Sequence, residues 1–319
     1  MEEEIIEHGK QGIYAKVLKH SFSAVSGTEI LTIEGNFPRV ILPELNTHRM
    51  LFLRDMLSKN LQSSRAVPVS KSIKEVKEQH FVPVHFGENQ KGMTAAKEVD
   101  NIEAARAAWQ DYVDDCVVNA EIMNALGMHK QIVNRALEPL VMSKAVITAT
   151  DWNNLFHLRI HPDAQPEARE FVECIYRAKK RSIPTELNPG EYHTPYVNTQ
   201  RGKDGVFRYF DQDENEISVE TALKISSSCC AQVSYRLLNQ SVEKAEDIHN
   251  KLIKSQPSHF SPLENQATPM TVWDWYKRKF AAFFIDDEIA LYRGNLRGFV
   301  SYRKKFPWEN LYNEFTAEV

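Results

Sequence analysis

His48-Arg49 and Ser58-Lys-Asn60-Leu-Gln-Ser63-Ser64-Arg65 bracket an apolar run at 50–53, and they hold the residue types that seize phosphate. A guanidinium grips phosphate with two parallel hydrogen bonds, and serine hydroxyls and loop amides add donors. On composition alone the stretch reads equally as a basic amphipathic helix with a polar cap. Three further segments carry similar types. Asn134-Arg135 precedes Pro139. Asn154 and Arg159 share a second segment, with Arg159 set between Leu158 and Ile160. A guanidinium in apolar company needs an anionic or carbonyl partner. On a helix these two residues are about 500° apart, so they would flank a ligand rather than stack beneath it. The third segment, His259-Phe-Ser261-Pro-Leu-Glu264-Asn265, has the Ser and Glu of a helix cap. Each also has a plain reading. Arg135 suits a surface ion pair, Asn154 a helix surface, His259 with Ser261 a capped turn, and His157 and His193 structural or surface roles.

These residues need elements to hold them. Residues 12–34 alternate apolar and polar around Ser26-Gly27, which predicts a β-hairpin. Residues 36–43 continue the sheet, and a helix is expected over 47–62. A short helix is expected at 70–78, a long one over 94–127, and another from 134 to 140, ended near Pro139. Residues 141–149 are β-like, and helices follow at 151–160 and 164–180. The Pro- and Gly-containing connector at 183–206 suits a boundary or a lid. Helices are expected at 219–238 and 241–255, then a polar loop at 258–269, strands at 279–291 and a helix from 299. The sum is an α+β chain with a mixed or antiparallel sheet and packed helices. It reads as one unit over 1–319, with an internal boundary near 183–218.

Composition narrows the function. The 319 residues are 42% hydrophobic and 26% charged, an ordinary globular balance. A net charge of −4 gives no footprint for polymeric nucleic acid, so small nucleotides are the expected ligands. No apolar run approaches a membrane span. The acidic start does not resemble a signal peptide, which fits a cytoplasmic protein. Cys116, Cys174, Cys229 and Cys230 lack CxxC spacing and read as reduced packing thiols; no metal site is expected. GxGxxG, P-loop, GxSxG and HExxH patterns are absent.

Taken together, the segments resemble the flavin-dependent thymidylate synthases. That family carries an Arg-His-Arg run followed by a Ser-x-Asn-Glu-x-Ser-x-Arg tail. Thr47-His48-Arg49 is similar to the run, with Thr for the first Arg, and residues 58–65 are similar to the tail, with Leu61 for Glu. Arg135 with Pro139, Asn154, and Leu158-Arg159 running into Ala164-Gln165-x-Glu167 resemble further family elements. So do Ala231-Gln-Val-Ser-Tyr235 and His259-x-Ser261-Pro-x-Glu264. The order differs, because these last two elements come first in the usual members. The chain therefore resembles a permuted member, or a partly duplicated one in which Arg297 to Arg303 weakly echoes the Arg-His-Arg helix. That second copy lacks the Ser/Arg tail, so the nucleotide is assigned to the first.

The resemblance implies conversion of dUMP to dTMP with FAD, and with methylenetetrahydrofolate and NADPH as cosubstrates. It implies a homotetramer with active sites shared between subunits. Ser63, Ser64, Arg65 and Arg135 would bind the nucleotide. Arg159 would bind the pyrimidine and act in catalysis by stabilising its negative charge. His48, Arg49, Asn60, Asn154, His259 and Ser261 would contact FAD, with Tyr302 and Arg303 as alternatives to His48 and Arg49. Glu44 is the candidate for the carboxylate lost at Leu61. The departures also leave open hydroxymethylation of dUMP or dCMP, and a non-catalytic nucleotide-binding homologue. The segment at 50–57 is longer than the family spacing needs, which predicts an extended helix or a bulge toward a neighbouring subunit.

Overall fold

The alternating residues of the first forty build the centre of the molecule. β1 (Ile6–His8), β2 (Tyr14–Ser23) and β3 (Glu29–Pro38) run antiparallel. Gly27, at φ +66°, closes the expected hairpin, and the Ser23 hydroxyl accepts from the amides of Val25 and Ser26. The computed structural model describes residues 4–46, 58–61, 63, 67–234, 238–255, 258–280, 294–306 and 309, with 234 and 278–280 by backbone alone.

After β3 the chain makes a 3-10 turn and a short helix, α1 (Leu42–Asn46), and re-enters at strand β4 (Ser58–Leu61). Helices α2 (Val69–Glu78), α3 (Ile102–Ala125) and α4 (Lys130–Leu137) pack on one another through Val76, Val113, Val117, Val133 and Leu137. β5 (Met142–Ala149) returns to the sheet between β3 and β4. α5 (Asn153–Arg159) and α6 (Pro166–Arg181) follow, and then β6 (Thr185–Leu187), which lies parallel on β2. The order is β1-β2-β3-β5-β4, with β6 also on β2. The sheet is therefore mixed and mainly antiparallel, as expected.

Each face of this sheet has its own cover. Ile33 and Phe37 of β3 and Ala145 and Ile147 of β5 point to α5 and α6, where the rings of Phe37 and Phe171 sit 4.6 Å apart. The opposite face presents Ile30, Thr32 and Glu34 of β3 and Val146 and Thr148 of β5. It is covered by the second half of the chain. There a small sheet, β7 (Asn198–Arg201), β8 (Phe207–Phe210) and β9 (Glu216–Ile217), packs with α7 (Val219–Ala231) and α8 (Val242–Lys254) around Tyr192, Tyr209 and Leu223. Cys230 and Val233 then seal Val146. Burial on both faces fits the apolar run Ala145-Val146-Ile147 within β5. A 3-10 turn (Ser261–Glu264), β10 (Ala267–Pro269), α9 (Val272–Phe280), β11 (Phe299–Ser301) and a last 3-10 turn (Tyr302–Lys305) complete the described chain.

Several expectations need correction, and the sheet expected over 36–43 ends at Pro38, where the 3-10 turn and α1 begin. Residues 58–61 are a strand, not the end of a helix over 47–62, because β5 offers them a full ladder of partners. Residues 94–101 are irregular; α3 starts at Ile102, where the Asn101 side chain accepts from the Ala104 amide. Residues 299–301 form a strand on β10 rather than a helix. Residues 279 and 280 close α9, and 281–291 of the expected strands lie outside the described residues. Among the described residues, no helix is long and apolar enough to cross a membrane, and no group of three or more His, Cys, Asp or Glu is placed to hold a metal.

Candidate functional site

β4 forms one edge of the sheet, and its alternation sorts the candidate residues onto two faces. Ser58 and Asn60 stand opposite Thr148 and Val146 on the face covered by the second half of the chain. Lys59 and Leu61 stand opposite Ile147 and Ala145 on the face of α5 and α6.

On the α5 side, Arg159 closes α5 and its Nη2 reaches the Glu44 carbonyl of α1 at 3.5 Å, a long contact. Its Nε is buried and has no hydrogen-bond partner among the described residues. Lys59 holds the same short helix, with Nζ 3.3 Å from the Leu45 carbonyl and 2.9 Å from Asn46 Oδ1. Burial lowers the Lys59 pKa. Two cations thus meet the carbonyl end of α1, the end where a helix dipole favours positive charge. Asn154 sits half-buried in the first turn of the same α5. Leu61 packs on the core of this face, so no carboxylate stands at its position.

On the other side, Asn60 is buried and its Nδ2 donates to the Ser261 carbonyl at 3.3 Å. The Ser261 side chain is exposed, as is that of His259. Glu264, at the end of this turn, pairs with Arg303. Asn295 Nδ2 lies 3.5 Å from the Ser58 hydroxyl, and the Arg297 amide donates to Thr150 Oγ1 at 2.9 Å. The chain after residue 258 therefore returns to the β4 edge twice, although some 200 positions separate the two in sequence.

The candidates divide as follows. Arg159 and Glu44 are together, and so are Asn60 and Ser261, with the sheet between the two pairs. Ser63 is half-buried just past β4, while Arg135 is exposed on α4, in the helical group built on α2 and α3. His48, Arg49, Ser64 and Arg65 lie outside the described residues, as does the 50–57 segment. Tyr302 stacks on His249 and Arg303 is paired with Glu264, so both are held among protein groups. His193 is fully buried, as its structural reading requires. Burial pushes the Cys229 thiol up to about 12, which fits a packing residue rather than a nucleophile. Lys59 and Asn265 were missed by the sequence reading. Lys59 would have stood out had 58–61 been read as a strand, since alternation puts it on the face of Leu61.

Residues 1–185 match the family model described as thymidylate synthase complementing protein, which is more than half of the chain. Among solved structures, the chain is similar to the crystal structure of a UMP/dUMP methylase PolB from Streptomyces cacaoi bound with 5-Br dUMP. That likeness has 16% identity and a TM-score of 0.37, and covers 48% of this chain and 67% of that one. No curated protein matches. The family match takes in the Ser/Asn tail, the Arg135 segment and the Asn154–Arg159 segment, and it stops short of the residues after 258. With that match over residues 1–185, the chain belongs to the thymidylate synthase complementing protein family.

Proposed function

We propose that the protein transfers a one-carbon unit from methylenetetrahydrofolate to C5 of dUMP, giving dTMP in a flavin-dependent reaction. The observation that carries this reading is the Arg159 guanidinium, whose buried Nε has no partner among the described residues and whose Nη2 makes only a long contact. A buried, unmade donor on a charged group is costly, and a carbonyl or anionic ring of a ligand removes that cost. Arg159 would hold the pyrimidine and stabilise negative charge on it, which raises electron density at C5. Ser63, Ser64 and Arg65 would take the phosphate. Exposed Arg135 would do so from a neighbouring subunit, in the homotetramer that family membership suggests. Glu44, whose carbonyl already meets Arg159, would supply the carboxylate lost at Leu61.

The residues around the Ser261 turn suit FAD. Asn60 ties the turn to the sheet, while the exposed Ser261 hydroxyl and His259 ring stay available as donors. Asn154, on the other face of the sheet, would reach FAD from a neighbouring subunit, and His48 and Arg49 would complete that set. FAD, when bound and reduced by NADPH, supplies the hydride, and the protein binds and orients the reactants. The packing of the later segment on β4 supports a permuted member of the family, in which the usual neighbours are rejoined in space.

Leu61 favours a second reading. Without the family acid on this face, water could complete the reaction in place of hydride, giving a hydroxymethylated dUMP or dCMP. The deciding experiment incubates the purified protein with dUMP, methylenetetrahydrofolate and NADPH and reads the product by mass. The dTMP mass is expected. The hydroxymethyl mass supports the second reading. No product, with no flavin absorbance after adding FAD, leaves a nucleotide-binding homologue. Arg159→Ala is expected to lower kcat/KM for dUMP by about 100-fold or more. Unchanged dUMP binding in that variant removes Arg159 from the site.

A further inference from the structure

Five fully buried polar residues form one continuous chain of hydrogen bonds across the sheet. Ser21 Oγ lies 3.0 Å from His193 Nδ1, and His193 Nε2 lies 2.8 Å from Thr32 Oγ1. Thr32 Oγ1 lies 2.7 Å from Thr148 Oγ1, which in turn donates to Asn265 Oδ1 at 2.8 Å. The path crosses β2, β3 and β5 and ends where the Ser261–Glu264 turn leaves off. Asn265 then donates from Nδ2 to the Pro262 carbonyl at 3.4 Å, inside that turn.

The direction of every proton follows from this last residue. Asn265 must present its amide nitrogen to the Pro262 carbonyl, so its oxygen faces Thr148 and can only accept. Thr148 spends its single hydroxyl proton there and must accept from Thr32. Thr32 has then spent its own proton and must accept from His193. His193 therefore carries its proton on Nε2, and its bare Nδ1 accepts from Ser21. Burial, followed by the charges of Lys19 and His20, keeps the ring neutral, in agreement with that order.

We propose that Thr148 and Asn265 are positioning residues, the last links of a one-way hydrogen-bond chain. That chain fixes the Ser261–Glu264 turn on the sheet and so holds the Ser261 carbonyl on Asn60 beside β4. The claim that the turn contacts flavin rests on the proposed function; the claim that the chain positions the turn does not. The turn is a short 3-10 element, also held where Ser301 Oγ donates to the Leu263 carbonyl at 3.3 Å and where Arg303 pairs with Glu264, and Asn265 ties it to the central sheet. A lone substitution within the sheet, on the far side of Asn265, is thus transmitted to it.

Two measurements test the proposal. The first is the imidazole ¹⁵N spectrum of the intact wild-type protein at neutral pH. His193 is expected with a protonated Nε2 and a bare Nδ1; a protonated Nδ1 overturns the chain. The second is backbone hydrogen exchange in Thr148→Val, which keeps the shape and removes the hydroxyl. Peptides covering 258–266 are expected to exchange about tenfold faster or more, the factor that loss of one buried hydrogen bond carries. Peptides of α3, in the separate helical group, are expected to stay unchanged, and Thr148→Ser is expected to match wild type. Unaltered exchange at 258–266 overturns the positioning role. If Thr148→Val does not fold, Asn265→Asp, which sets an acceptor against the Pro262 carbonyl, is read the same way. FAD titration separates the two claims. Faster exchange with weaker FAD binding supports both. Faster exchange with unchanged FAD binding supports positioning and removes the turn from the flavin site.

Discussion

His193, His20 and His249 are each held toward the neutral form, and burial is the largest cause for all three. Lys19 and His20 add to it at His193, Lys179 at His20 and Lys224 at His249, where the pKa falls to about 4. An unfolded histidine titrates near 6.5. Below that pH the unfolded chain takes up protons that the folded one refuses, so stability present above about 6.5 is lost as the pH falls. The urea midpoint is expected to hold from pH 7.5 to about 6.5 and to drop from there to pH 5. His249→Gln is expected to flatten the slope, because its share is spread between 6.5 and about 4. A midpoint that rises, or stays level, across this range would refute the assignment. The same residues show what sequence can disclose at this scale. Arg159, set between Leu158 and Ile160, is expected from sequence to need an anionic or carbonyl partner; its Nη2 makes a long contact with the Glu44 carbonyl and its Nε has no partner among the described residues. Asn265 announced nothing, since its importance comes from Thr148, more than a hundred positions away, and no spacing rule spans that distance.

At the scale of elements, strong periodicity was legible and short edge elements were not. The β2–β3 hairpin, β5, α2, α5, α6 and α8 follow their expected positions closely, because each buries a face that its own residues spell out. β4 does not, because its four residues carry Ser, Lys and Asn, and only β5 makes a strand of them. Local propensity yields there to tertiary pairing. β3 also holds a contact that its sequence leaves hidden. Gly35 lies under α6, where an added Cβ would stand 2.5 Å from Phe171 Cε2. Glycine weakens a strand, so its presence here reflects the close approach of that ring. Gly35→Ala must push Phe171 off Phe37 and tilt α6 from the sheet. The expected loss is about 1–3 kcal/mol in urea unfolding. Phe171→Leu in the same background should recover part of it by making room, whereas equal losses in single and double variants would deny the contact.

The whole molecule joins a family-matched first part to a second part that covers its sheet. The match ends at 185, and the far face of the sheet ends with it uncovered: Ile30 meets Leu187, Ala267 and Phe299, and Val146 meets Cys230 and Val233. Each such apolar side chain gains about 1.5–3 kcal/mol from burial. That gain is comparable with a sizeable part of the ~5–15 kcal/mol by which a domain is stable. Polar groups on that face depend on the same cover, since Thr32 and Thr148 bond His193 and Asn265, and Tyr196 donates to Glu34 across the seam. The second part is thus expected to be a structural requirement of the first. A chain cut after residue 185 is expected to be insoluble or to lack a cooperative unfolding transition. Coexpression with residues 186–319 is expected to restore a soluble complex that elutes with both pieces. Cooperative unfolding of 1–185 alone, at a stability near that of the full chain, would show that the sheet needs no such cover. It would also separate the family-matched part from the Ser261 turn that the proposed flavin site requires.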